Sequence, residues 1–121
     1  MQTCEEPSKI LLVDDDPSIV TTFRFCLETA GHHVATAATF SQARELAAST
    51  RFDVCFLDIC LGEASGLDLI PYLRQMTPMI KIVVVTAQQP LEGENDAIQA
   101  GANEYVVKPC SPEDLRRAAK K

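Results

Sequence analysis

Five short runs of strand-forming residues alternate along the chain with segments patterned as helices, and that alternation limits the fold more than any other feature. Lys9–Val13, Val54–Leu57 and Lys81–Val85 are near-continuous apolar stretches; Glu104–Val107 is shorter, and His33–Ala38 is the weakest of the five. An unbroken apolar run of this length reads as a strand buried on both faces, since a half-exposed strand would alternate with polar residues. Strand and helix in strict succession imply a parallel sheet covered by helices on both sides, joined by right-handed crossovers. The expected class is therefore α/β, a doubly wound (βα)5 unit with a five-stranded parallel sheet.

The segments between the strands carry helix signals. Ile19, Val20, Phe23, Cys26, Leu27 and Ala30 recur at helical spacing behind Pro17, and Gly31 follows as the C-terminal cap. Thr39 and Gln42 have capping-box spacing ahead of Ala43, Leu46 and Ala47. A third helix is expected from Ser65-Gly66 through Leu67, Leu69, Ile70 and Leu73, with Pro71 removing a backbone bond and bending it. Gln88 to Asn95 is polar and reads as a loop into a short helix near Asp96–Ala100, stopped by Gly101. Ser111-Pro112-Glu113-Asp114 starts the last helix with an N-cap, a proline and first-turn acids.

A length of 121 residues suits one domain. Residues 1–8 read as a flexible lead-in and 9–121 as the folded unit, whose short last helix suggests the excised N-terminal part of a longer protein. The net charge of −6 argues against direct contact with nucleic acid, and the basic group Arg116, Arg117, Lys120 and Lys121 reads as a solvated helix end complementing the dipole. The five cysteines, Cys4, Cys26, Cys55, Cys60 and Cys110, are odd in number and lack C-x-x-C spacing. They read as small hydrophobes in a reducing compartment. No apolar run approaches the ~18 residues of a membrane span, and no signal peptide pattern opens the chain, so the expected location is the cytoplasm.

The strands bring chemistry to one edge. Strand one ends at Asp14 and Asp15, strand three at Asp58, strand four at Thr86 and strand five at Lys108. Taken singly, each has an ordinary explanation as a cap, a strand end or a surface lysine. In a parallel sheet all these ends share the edge where ligands bind, and the set together points to a site. Carboxylates ~5 Å apart repel by about 3 kcal/mol at an effective dielectric of about 20, so convergence of acids calls for a cation, a raised pKa or both. Oxygen ligands of this kind suit Mg²⁺, and a carboxylate can itself attack phosphorus to form an aspartyl phosphate.

Val13-Asp14-Asp15-Asp16, Leu57-Asp58-Ile59, Val85-Thr86-Ala87 and Gly101 to Pro109 together resemble the receiver domain of two-component response regulators, from about Lys9 onward. Leu61 to Gly66 and Lys108 to Pro112 look most like receivers of NtrC-type transcriptional activators. The resemblance implies the flavodoxin- and CheY-like strand order 2-1-3-4-5. It makes Asp58 the phosphoacceptor, with Mg²⁺ held by Asp15, Asp58 and the Cys60 backbone carbonyl, and by Asp14 mainly through water. Lys108, the Thr86 hydroxyl and the Ala87 amide would contact the phosphoryl group. Tyr105 would be the aromatic that turns inward when Thr86 is drawn to it, or else an ordinary half-buried strand residue; Asp16 would cap the first helix.

The implied partners are a sensor histidine kinase, a C-terminal output domain absent from this chain, and a second copy through helix four, strand five and helix five. Neither nucleic acid nor membrane is implied as a direct partner. The chain departs from the family pattern at Gly62, where many receivers have proline, which implies a looser loop after Asp58. Gln88 and the Cys60 side chain occupy positions that tune dephosphorylation, and Cys110 replaces a bulkier apolar residue. Two other classes of function share parts of this pattern. A phosphohydrolase using an aspartyl intermediate would need a cap over its substrate, and the chain has no such insert. An interaction module with a vestigial site is opposed by the intact Asp14, Asp15, Asp58, Thr86 and Lys108 set.

Overall fold

Successive residues of the central strands face opposite sides of the sheet, and in this chain both sides are apolar. Leu11, Val13, Cys55, Leu57, Ile82 and Val84 pack on one side, and Ile10, Leu12, Val54, Phe56, Val83 and Val85 on the other. The computed structural model describes residues 7–58, 60–61, 64–86, 97–108 and 111–120. The strands are β1 (Lys9–Val13), β2 (His33–Ala37), β3 (Val54–Leu57), β4 (Lys81–Thr86) and β5 (Glu104–Val107). They form one five-stranded sheet in the order β2-β1-β3-β4-β5, every pair parallel. This is the expected architecture and strand order.

The helices are α1 (Pro17–Thr29), α2 (Phe40–Ser49), α3 (Leu69–Met76), residues 97–100 as α4, and α5 (Pro112–Ala118). Phe23, Cys26 and Leu27 of α1 and Leu115 and Ala118 of α5 cover one face. Ala43 and Ala47 of α2, Leu69, Ile70 and Leu73 of α3, and Ala97 of α4 cover the other. Each large apolar side chain buried this fully contributes about 1.5–3 kcal/mol, which holds the strand ends in fixed relation. Among the described residues no helix is long and apolar enough to cross a membrane. Cys26 and Cys55 are buried free thiols, consistent with their reading as small hydrophobes.

The caps follow the sequence with one displacement. Asp16 accepts from the Ser18 amide at 2.9 Å as N-cap of α1, and Gly31 takes φ +101° just past the Ala30 C-cap. Ser111 and Asp114 form a reciprocal capping box on α5, and Arg116 and Arg117 lie in its last turn. At α2, Thr39 accepts from the Gln42 amide, but the Gln42 side chain reaches one residue further back, to the Ala38 amide at 2.8 Å.

Three expectations are corrected. Ser8 is not part of a loose lead-in: it is buried, its amide donates to His32 Nδ1 at 3.0 Å and its carbonyl accepts from the His33 amide at 3.0 Å. Residues after Asp58 are not all loop, because Cys60–Leu61 pairs antiparallel with Ala64–Ser65. The third helix opens as a 3-10 turn at Gly66–Asp68 and becomes α-helical only at Leu69. Pro71 therefore falls in the first turn of α3, where its missing N–H has no intrahelical partner to lose. Gly62, Ala87, Cys110 and the Gln88–Asn95 segment with Gln88 lie outside the described residues.

Candidate functional site

Asp14 and Asp58 each stand one residue beyond a strand, and the parallel ladder runs on to hold them, while Asp15 follows Asp14. The Asp14 amide donates to the Ala37 carbonyl of β2 at 3.1 Å, and the Asp58 amide to the Val13 carbonyl of β1 at 2.9 Å. On the other side of the sheet, the Lys108 amide donates to the Thr86 carbonyl at 2.8 Å. The main chain thus registers Asp14, Asp58, Thr86 and Lys108 against one another before any side chain is considered. Asp14, Asp58 and Thr86 are buried, whereas Asp15 is exposed.

The side chains converge. One carboxylate oxygen from each of Asp14, Asp15 and Asp58 can be chosen so that all lie within 4.8 Å of one another. The Lys108 ammonium lies between two of them, donating to Asp14 Oδ2 at 2.7 Å and to Asp58 Oδ2 at 3.0 Å. Asp14 Oδ1 is also engaged, accepting from the Asp16 amide at 3.0 Å. Burial pulls the Lys108 pKa down, but the hydrogen bonds to Asp14 and Asp58 and their charges outweigh it, so its pKa ends above the ordinary value. Lys108 is a permanent cation at physiological pH.

Three carboxylates against one ammonium leave two net negative charges in this cluster. That residue of charge, offered by hard carboxylate oxygens, fits a divalent cation such as Mg²⁺ or Ca²⁺. Two other members of the expected set are placed by strand register. Cys60 opens the antiparallel ladder two residues beyond Asp58, with its backbone paired to Ser65. Tyr105 is half-buried on β5 opposite Val84, two residues before Thr86 in the β4 register, and packs against the α2–α3 side core. The structure thus brings Asp14, Asp15, Asp58 and Lys108 together, with Thr86 at the adjoining strand end.

Comparison with known proteins places this arrangement. A family model described as the response regulator receiver domain matches residues 10–120. The chain belongs to that family. This receiver is 50% identical over 119 residues to the alginate biosynthesis transcriptional regulatory protein AlgB of Pseudomonas aeruginosa, covering 98% of this chain and 26% of that protein. It is 34% identical to the alkaline phosphatase synthesis transcriptional regulatory protein PhoP of Bacillus subtilis, covering 93% of this chain and 47% of that one. It therefore spans only part of the length of these curated relatives.

Among solved structures, the receiver is similar to a response regulator from Burkholderia pseudomallei crystallised with a phosphorylated aspartic acid, a calcium ion and citrate. The TM-score is 0.88 at 30% identity, covering 93% of this chain and 66% of that one. A CheY-like receiver domain protein from Methanospirillum hungatei gives a TM-score of 0.87 at 31% identity, covering 93% and 90% of the two chains. The protein is a receiver domain of two-component signalling, with transcriptional regulators among its relatives.

Arg74 was missed by sequence reasoning. Its guanidinium donates to the Gly101 carbonyl through Nε and Nη2, to the Pro78 and Ile80 carbonyls through Nη1, and to Asn103 Oδ1. Backbone carbonyls carry no residue identity, so no motif announces such a contact.

Proposed function

We propose that this receiver accepts a phosphoryl group on Asp58 from the phosphohistidine of a sensor histidine kinase or from a small phosphodonor. The observation that carries the reading is the Lys108 ammonium shared between Asp14 and Asp58 inside a cluster that retains net negative charge. Asp14, Asp15 and Asp58, with the Cys60 carbonyl, would hold Mg²⁺. When bound, that ion neutralises charge on the phosphoryl oxygens and orients them.

An Asp58 carboxylate oxygen attacks phosphorus as the phosphorus–nitrogen bond of the donor breaks, and the bonding pair leaves with the imidazole nitrogen. The product is an acyl phosphate on Asp58. Lys108 is already within reach of the Asp58 carboxylate and pairs with the arriving phosphoryl oxygens. The Thr86 hydroxyl and the Ala87 amide donate to the same oxygens. Drawing Thr86 toward the phosphoryl group leaves space for Tyr105 to turn inward, biasing a two-state element.

That change is read by a C-terminal output domain that regulates transcription, and by pairing of two copies through α4, β5 and α5. The receiver acts in the cytoplasm, and the only catalysis it performs is on its own phosphorylation and dephosphorylation. Incubation with acetyl phosphate and Mg²⁺ tests the reading: the intact mass should gain one phosphoryl group, and Asp58→Asn should gain none. Equal labelling of the Asn variant would overturn it.

A further inference from the structure

β5 is an edge strand. Among the described residues its only ladder partner is β4, and all four of its residues are half-buried, with Tyr105 and Val106 packed against the margins of the two cores. Yet Lys108 follows it directly and must reach Asp14 and Asp58 on the far side of β4. A shift of one residue would send every side chain of the strand to the other face.

The amino end of β5 is fastened from α3. Arg74 donates to the Gly101 carbonyl at 3.1 Å from Nε and 2.8 Å from Nη2, and to Asn103 Oδ1. Asn103 Oδ1 also accepts from the Ile82 amide at 2.8 Å, while the Asn103 amide donates to the Ile82 carbonyl at 2.7 Å. Through Nη1 the same guanidinium takes the Pro78 and Ile80 carbonyls, just ahead of β4. Gly101 adopts φ +121°, and a Cβ there would meet Ile70 Cγ2 at 3.2 Å and Arg74 Cγ at 3.5 Å. The turn therefore lies directly against α3. One planar fork spans the connections that precede both strands, which an ammonium could not do.

We infer that Arg74 is a positioning residue: by fixing Gly101 and Asn103 it sets the register of β5 and so holds Lys108, about 16 Å along the chain, against Asp14 and Asp58. For its catalytic consequence the inference rests on the phosphoryl transfer proposed above. A purely stabilising role would weaken the whole sheet, whereas this role acts on β5 and spares Asp14 and Asp58, which are carried by β1 and β3.

The test compares wild type with Arg74→Gln and Arg74→Lys, under conditions where all are folded. Hydrogen exchange reads the Lys108 amide against the Asp14 and Asp58 amides, and acetyl phosphate with Mg²⁺ gives the labelling rate. In Arg74→Gln, Lys108 exchange should accelerate about tenfold and labelling should slow about tenfold, with Asp14 and Asp58 exchange unchanged. Arg74→Lys should not restore either property. Val34→Ala, on the opposite edge strand, should leave Lys108 exchange and labelling as in wild type. Unchanged Lys108 exchange in Arg74→Gln, or equal acceleration at Asp14 and Asp58, would overturn the inference. If wild type takes no label, the phosphorylation reading fails and the exchange pattern still decides whether Arg74 places Lys108.

Discussion

Replacing Lys108 with Met keeps the aliphatic stem and removes the charge that lies between two buried carboxylates. Asp14 and Asp58 then face each other without their cation, with oxygens that can approach within 4.8 Å. At that separation two unit charges repel by about 3.5 kcal/mol at an effective dielectric of about 20. Removing one partner of a buried ion pair typically costs about 3–5 kcal/mol, so a loss of about 3 kcal/mol is expected at neutral pH. For a domain of ordinary stability that is a large share of the total.

The loss should also be conditional. Millimolar Mg²⁺ should narrow the gap by supplying a replacement cation. Wild-type Lys108 has a folded pKa raised above its ordinary value. Its contribution is fully present below the unfolded value and fades only as pH climbs through the raised one. Urea unfolding of both proteins at pH 7, with Mg²⁺ and with chelator, measures each part. A loss below about 0.5 kcal/mol, or one equal with Mg²⁺ and with chelator, would refute the electrostatic reasoning.

Other consequences follow from the same structure. Gly101→Ala should cost about 2 kcal/mol and Gly31→Ala about 1 kcal/mol in chemical denaturation, since both have positive φ but only Gly101 has neighbours within reach of a Cβ. Ser111→Ala should destabilise by about 1 kcal/mol through loss of the α5 capping box. The Ser111 backbone bond holds the Asp114 carboxyl below its ordinary pKa of 3.8, so its stabilising effect is present above that value and lost as pH falls through the lower folded one; acid titration of Asp114→Asn should lack this component. Burial pushes the Cys55 thiol far above its ordinary pKa, so alkylation of Cys55 in the native protein should be negligible and should track global unfolding in denaturant.

The strands were legible because a doubly covered sheet demands apolar residues on both faces, leaving runs such as Lys81–Val85 with one plausible conformation. Asp14, Asp58 and Lys108 were legible for a related reason: each is the charged residue at which such a run stops, and parallel pairing brings the stops together. The short ladder of Cys60–Leu61 with Ala64–Ser65 was not, since two residues per strand carry no period to detect. The start of α3 is not legible either, because a 3-10 turn and an α-helix share the same apolar spacing over one turn. Nothing local marks Ser8 as ordered; its partners are His32, His33 and Ala119, all distant in sequence. Lys108 sharing its ammonium between Asp14 and Asp58, and Arg74 gathering carbonyls, are likewise products of tertiary placement.

The most direct test of the account is to locate the phosphoryl group after reaction with acetyl phosphate and Mg²⁺. Borohydride reduction of an aspartyl phosphate converts that residue to homoserine, which peptide sequencing by mass spectrometry places in the chain. Homoserine at position 58 alone, lost in Asp58→Asn, is the predicted result; homoserine at Asp14 or Asp15, or none anywhere, would contradict the central claim.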